Sequence, residues 1–297
     1  MNRKADQTKL INDWASAPEN SARTVLVTIF GDTIAPTTDE VWLAQLFQLT
    51  DVLGFTDRLV RTSVFRLASD GWLHNERVGR QSRYRLTELA RNETKDAEQR
   101  IYQDVQADWS GPWSTVFVDA PLLSDDERAR LKETLAWHGF MQISSGTMAT
   151  PTIPIQRCRE LCLSVTPAVC GLTGTFDFDD LDHALANGFF DDPLALDETA
   201  DAYRSFTSFY ASIANKDDSM DAARAFAIRT MLVHDLRRVR LRSVDLPTDL
   251  LPADWPGAEA GALASELYHE LSKSAAPWLS QVLKLDYPDA FPDRLAN

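Results

Sequence analysis

Between Thr56 and Leu86 the sequence runs a helix pattern directly into a hairpin pattern, with arginines studding both. Wound at about 100° per residue, DRLVRTSVFRLASD places Val60, Val64 and Leu67 on one stripe, with Leu59 at its edge. Arg58, Arg61, Thr62 and Phe65 fall on the opposite side, and Arg66 lies at the margin. Thr56 and Asp57 start the helix and Gly71 ends it. WLHNERV and SRYRL then read as two short strands turning at Gly79-Arg80-Gln81, and the pair carries Arg77, Arg80, Arg83 and Arg85. Such a helix buries one face only, and its guanidinium groups need an aqueous or anionic surrounding on the other.

Two helix patterns precede it. SARTVLVTIFGD sets Val25, Leu26 and Ile29 on one face, with Ser21 as N-cap and Gly31 as the expected stop. Thr37-x-x-Glu40 reads as a capping box opening VWLAQLFQLTDVLG, which ends near Gly54. Three helices followed by a basic hairpin is the order of a winged helix-turn-helix. The major groove of duplex DNA admits one α-helix and shows its base edges to that helix's outer face. The expected contacts are therefore Arg58, Arg61, Thr62 and Arg66 from the helix, with Arg77, Arg80, Arg83 and Arg85 from the wing. Arg80, at the tip, is placed to enter the minor groove or to grip the backbone. The competing structural reading is a solvated basic helix beside a surface hairpin. For Phe65 the two readings are a contact with a thymine methyl group and packing against the wing or Trp72.

The formal net charge of −14 argues against a nucleic-acid partner until its distribution is considered. Residues 58–91 hold eight arginines against Asp70, Glu76 and Glu88, and residues 224–242 hold six against Asp235. Phosphate responds to the field within a Debye length, roughly 8–10 Å, and not to the sum over the chain. Two basic islands in an acidic chain suggest two anionic partners, or one partner and one structural cluster.

At 297 residues the chain exceeds what one core ordinarily organises. The expected divisions are an N-terminal arm or short leading helix over 1–20, the DNA-binding domain over 21–90, a connecting helix over 91–108, a small α/β domain over 109–175 and a mostly helical domain over 176–297. In the middle segment STVFV and FMQIS read as strands, and SDDERARLKETLAWHG as a helix capped by Ser124. The stretch 148–175 is apolar and proline-punctuated, and reads as strands and turns. Beyond it, helices are expected at roughly 197–214, 219–242 and 258–284. In the second of these Ile228, Leu232, Leu236 and Val239 face the core, with Thr230, His234, Arg237 and Arg238 together on the other side.

No apolar run is long enough to span a bilayer, and MNRKADQTKLINDW lacks the apolar segment of a secretory signal, so a cytoplasmic protein is expected. Cys158, Cys162 and Cys170 include no C-x-x-C pair and read as small buried hydrophobes in a reducing compartment. The five histidines lack ligand spacing, and the motifs of phosphate-binding loops, hydrolases, zinc proteases and dinucleotide folds are missing. No cofactor, metal site or enzyme activity is expected.

SARTVLVTIFGD, VRTSVFRLASDGWL and RVGRQSRYRLTE resemble the N-terminal domain of the PaaX-type repressors, regulators of phenylacetate catabolism. FAIRTMLVHDLRRVRLRSVDLPTDLLPADWPG and then ASELYHEL are similar to that family's C-terminal signature. The resemblance implies an α+β chain with a winged helix-turn-helix, a ferredoxin-like middle domain similar to Cas2, and a helical C-terminal domain. It further implies a homodimeric transcriptional repressor of a double-stranded operator, released by an aryl-acyl-CoA such as phenylacetyl-CoA. The second basic island suits the phosphates of such an effector, through Thr230, His234, Arg237 and Arg238. Its structural alternative is a solvated face, or for His234 a buried, hydrogen-bonded ring. A Cas2-like domain also raises a rival reading, a metal-dependent nuclease using Asp119 at the end of STVFV. A single carboxylate is a poor site for a hard divalent ion, because such ions take several oxygen ligands.

Overall fold

The computed structural model describes residues 3–102, 113–118, 123–167, 173–176, 196–214, 220–242, 246 and 251–285. It is an α+β chain that divides into two compact units, one formed by 1–99, 208–236 and 262–296, the other by 100–207, 237–261 and 297. The C-terminal helices contribute residues to both units.

In the first unit, α1 (Arg3–Ala15) precedes α2 (Ala22–Ile29). Ser21 caps α2 by accepting from the Thr24 N–H, as its position before the apolar stripe suggests. Val25, Leu26 and Ile29 are completely buried. Gly31 does not stop the helix. The chain widens into a π-turn, Phe30–Ile34, that carries Asp32 and Thr33 into the interior. At Gly31 a Cβ atom would lie 3.2 Å from Thr94 Cγ2, so this glycine serves a close approach and not a helix end.

The helix after it starts later than the Thr37–Glu40 motif indicates. Val41–Trp42 forms a short strand, β1, and α3 spans Leu43–Asp51. The residue that works as a cap is Gln45, whose side-chain oxygen accepts from the Trp42 N–H at 2.8 Å. A turn over 52–56 leads to α4 (Asp57–Ser69), which buries Val60, Ser63, Val64 and Leu67. The strands β2 (Leu73–Val78) and β3 (Gln81–Leu86) pair antiparallel, with Val78 opposite Gln81 and Leu73 opposite Leu86. Strand β1 adds to the far edge of β3, Val41 opposite Tyr84. Trp72 packs edge-on against Phe30, 6.3 Å between centroids, and its Nε1 donates to Glu93 of α5 (Glu88–Tyr102).

The second unit holds β4 (Trp113–Phe117), α6 (Asp125–Trp137), β5 (Met141–Ser144), β6 (Thr147–Thr150), α7 (Ile155–Val165) and β7 (Thr173–Phe176). The sheet order is β5-β6-β4-β7, with every neighbouring pair antiparallel. Ser124 and Glu127 close a reciprocal capping box on α6. Helix α7 replaces part of the strand-and-turn reading of 148–175. Pro154 sits just outside the helix as its cap, and Ile155, Cys158, Leu161, Cys162 and Val165 follow at helical spacing. Those residues close on Val116, Leu131, Leu135 and Met148, and Cys158 and Cys162 are buried, unoxidised members of that core. Their close contact pushes the Cys158 thiol pKa upward, chiefly through its hydrogen bond to Cys162 and burial. Cys170 lies outside the described residues.

Three helices complete the chain: α8 (Leu196–Ala214), α9 (Ala222–Arg242) and α10 (Gly257–Leu283). Among the described residues no helix is long and apolar enough to cross a membrane.

Candidate nucleic-acid interface

Helix α4 is amphipathic, and packing against α2 and α3 fixes which face turns outward. With Val60, Val64 and Leu67 fully or almost fully buried, Arg58, Arg61, Thr62, Phe65 and Arg66 are all exposed. Among the described residues no carboxylate pairs with Arg58, Arg61 or Arg66. The Arg61 guanidinium sits over the Phe47 ring of α3, 5.2 Å from its centroid, which orients the side chain without neutralising it. The Thr62 hydroxyl donates to the Arg58 carbonyl, leaving its lone pairs outward.

The hairpin extends this cationic face. Its two-residue connection is Gly79-Arg80, and Gly79 takes φ +62°, a region that an L side chain enters only with strain. Arg80 is therefore presented, exposed, at the tip, and Arg77 and Arg85 are also exposed. Arg77 Nε donates to the Gly79 carbonyl across the turn.

Arg83 departs from the expected outward set. It bonds Glu40 at 2.5 Å and Glu76 at 2.9 Å, and lies over the Trp42 ring at 5.9 Å. Those contacts tie β3 to β2 and to the strand before α3. The Glu76 hydrogen bond raises the Arg83 pKa, and the same bond lowers that of Glu76. Arg83 thus holds the hairpin in place while its neighbours remain available.

The second basic island is not a continuous surface. Arg229 is completely buried and bonds Asp32 at 2.7 Å. Arg240, also buried, donates to the Ile101 carbonyl, and Arg224 pairs with Asp221. Thr230 and His234 are not turned outward as an amphipathic α9 would require. The Thr230 hydroxyl is buried and donates to the Phe226 carbonyl. His234 is buried, with Nδ1 2.9 Å from Thr28 Oγ1 and its ring edge-on to Trp14. Both belong to the first unit. Arg237 and Arg238 are half-buried in the second, and burial lowers the Arg237 pKa from the ordinary arginine value, with nearby Tyr102 acting the other way. The four residues lie on one side of α9, but Thr230 and His234 are buried whereas Arg237 and Arg238 keep partial exposure.

Sequence reasoning missed the polar contacts that α9 and α10 make inside the first unit. Tyr268 Oη donates to Asp32, and Tyr210 Oη and Trp14 Nε1 donate to Asp235. Of the two forms expected for the leading segment, arm or short helix, it takes the helix, which buries Ile11 and Trp14. Asp119 lies outside the described residues. Among the described residues no group of three or more His, Cys, Asp or Glu is placed to hold a metal ion.

Fold and surface together define a class: a chain that sets an arginine-bearing helix and a basic, glycine-turned hairpin side by side on a rigid base, a form suited to a polyanion. The family model described as PaaX-like protein matches residues 21–90, and that of the PaaX-like protein C-terminal domain matches residues 194–281. The transcriptional repressor PaaX of Escherichia coli (strain K12) is 30% identical over 267 residues, covering 88% of this chain and 84% of that relative. The chain belongs to the PaaX family. Among solved structures, the uncharacterized protein Rv0674 from Mycobacterium tuberculosis shares the fold at a TM-score of 0.51 and 22% identity, over 86% of this chain and 97% of that one.

Proposed function

We propose that this chain is a DNA-binding transcriptional repressor, with residues 21–90 forming a winged helix-turn-helix and α4 as its recognition helix. The observation that carries the reading is the outer face of α4, where Arg58, Arg61 and Arg66 stand exposed and unmatched by any carboxylate among the described residues. The name of the E. coli relative supports the same role. The hairpin is the wing: Arg77, Arg80 and Arg85 contact phosphates, and Arg80 is positioned for the minor groove. The β4-α6-β5-β6-α7-β7 order and its sheet order support a ferredoxin-like, Cas2-like second unit.

A homodimer would present two α4 helices to half-sites about one helical turn apart, or a multiple of it, on a near-palindromic operator. The effector in this reading is an acyl-CoA thioester of the phenylacetyl type, its phosphates met by Arg237 and Arg238. Such a ligand acts by favouring a dimer geometry that mismatches the operator spacing. A preference of roughly 10²-fold between states is sufficient for derepression.

Selection of duplexes from random sequence by the full chain tests the DNA reading. Recovery of a two-fold symmetric site, bound less tightly by Arg61→Ala, is the expected result; no enrichment over input overturns it. Titrating the bound complex with a panel of acyl-CoA thioesters tests the effector. Release by an aryl-acyl-CoA, lost in an Arg237→Ala, Arg238→Ala double variant, is expected. Normal release from that variant assigns the two arginines to structure alone.

A further inference from the structure

Phe65 is 71% exposed, the highest value for a large hydrophobic side chain among the described residues. It stands near the middle of the outward face of α4, four residues after Arg61, three after Thr62 and one full double turn after Arg58. The expected packing against Trp72 does not occur, because Trp72 is engaged with Phe30 and Glu93. No ring or guanidinium among the described residues packs on Phe65. Its nearest neighbours on the outward face of α4, at helical spacing, are Arg58, Arg61 and Thr62 instead of apolar side chains.

An aromatic ring held in water gains nothing for folding, and the flanking guanidinium groups make this face unsuitable for an apolar protein partner. The surroundings require a surface that offers anionic oxygens to Arg58, Arg61 and Arg66 and an apolar group between them. The major groove of a duplex provides both: phosphates at its walls and, on its floor, the 5-methyl group of thymine. We propose that Phe65 is a specificity-determining residue that selects thymine in the operator by apolar contact with its 5-methyl group. The inference rests on α4 being the recognition helix, and adds to that reading one base identity and the side chain that reads it.

The test replaces each thymine of the selected operator, one at a time, with deoxyuridine, which removes the methyl group and leaves base pairing unchanged. Full-length wild-type chain, Phe65→Ala and Arg61→Ala are compared by fluorescence anisotropy on every duplex. The expected result is a loss of about fourfold in wild-type affinity at one thymine per half-site, the ~0.8 kcal/mol of one buried methyl group. Phe65→Ala should bind the thymine and uracil duplexes equally, while Arg61→Ala binds both more weakly but keeps the fourfold ratio. Phe65 is exposed, so thermal unfolding of Phe65→Ala should match the wild type. Equal discrimination by wild type and Phe65→Ala overturns the assignment, as does indifference of the wild type to every methyl group. Tighter binding of single strands than of duplex also overturns it, in favour of base stacking. If neither Phe65→Ala nor Arg61→Ala changes affinity for any duplex, the recognition-helix reading itself falls.

Discussion

The Arg229 guanidinium donates to the Asp32 carboxylate at 2.7 Å across 197 positions of sequence, with both side chains almost wholly removed from water. The same arginine nitrogen reaches Thr33 Oγ1, its carbon lies over the Tyr268 ring, and Tyr268 donates to the second carboxylate oxygen. One residue of the π-turn after α2 is thereby bound to both α9 and α10. The N-terminal family region and the C-terminal family region share a core in the first unit.

Removing one member of a buried pair leaves the other charge unmatched, at about 3–5 kcal/mol. Asp32→Ala and Arg229→Ala should each lower the unfolding free energy measured by urea denaturation by that order. The double variant Asp32→Ala, Arg229→Ala should be less destabilised than the sum of the two. Additive losses in a double-mutant cycle would show that the two groups are not coupled.

Gln45 joins two helix ends. Its oxygen accepts from the Trp42 N–H at the start of α3, and its nitrogen donates to the Val282 and Leu283 carbonyls at the end of α10. Gln45→Glu keeps the first bond and sets a carboxylate against carbonyl oxygens at the negative end of a helix dipole. A destabilisation of about 1–3 kcal/mol is expected in chemical denaturation at neutral pH. It should shrink as acid protonates the new side chain, which restores a donor.

The arginines of the basic surface should separate into two groups. Arg58→Ala and Arg61→Ala are expected to leave thermal stability unchanged and to weaken operator binding. Each lost phosphate contact reduces the slope of log affinity against log salt by about 0.9. Arg83→Ala removes the ties to Glu40 and Glu76, so it should loosen the hairpin, measured as faster amide exchange across β2 and β3. Protection equal to wild type would contradict the structural role assigned to Arg83.

The α6 capping box is a local acid-sensitive element. Bonds from Ser124, then from Thr166, lower the Glu127 pKa below the usual 4.5. A carboxylate whose folded pKa is depressed contributes fully above its unfolded value, and the contribution disappears as pH falls through the folded value. The stability difference between wild type and Glu127→Gln should therefore be constant at neutral pH and narrow through the acid carboxylate range. An NMR titration of the Glu127 side chain should give a midpoint below that of a free glutamate.

The basic face of α4 and its hairpin was legible because its determinants are local. A 3.6-residue apolar period, a glycine at the turn and alternation along two strands place Arg58, Arg61 and Arg80 without knowledge of what packs behind them. Within 148–175 the strands β6 and β7 match the expectation, and only Ile155–Val165 departs from it, because the prolines suggest turns although Pro154 is a helix cap. Gly31 reads as a helix stop in the sequence, because nothing within ten residues shows that Arg229 and Tyr268 arrive at the neighbouring Asp32.

Sequence alone determined the α+β character, the helix-and-hairpin order of the basic N-terminal region and the outward face of α4, since periodicity and turn chemistry act over a few residues. Tertiary structure decided which charges are spent internally. Arg229 and Arg83, indistinguishable by sequence from Arg61, are matched to carboxylates, whereas Arg61 stays exposed on an aromatic ring. Whether a charge is matched depends on partners brought from tens to hundreds of residues away, and only the packed chain supplies them.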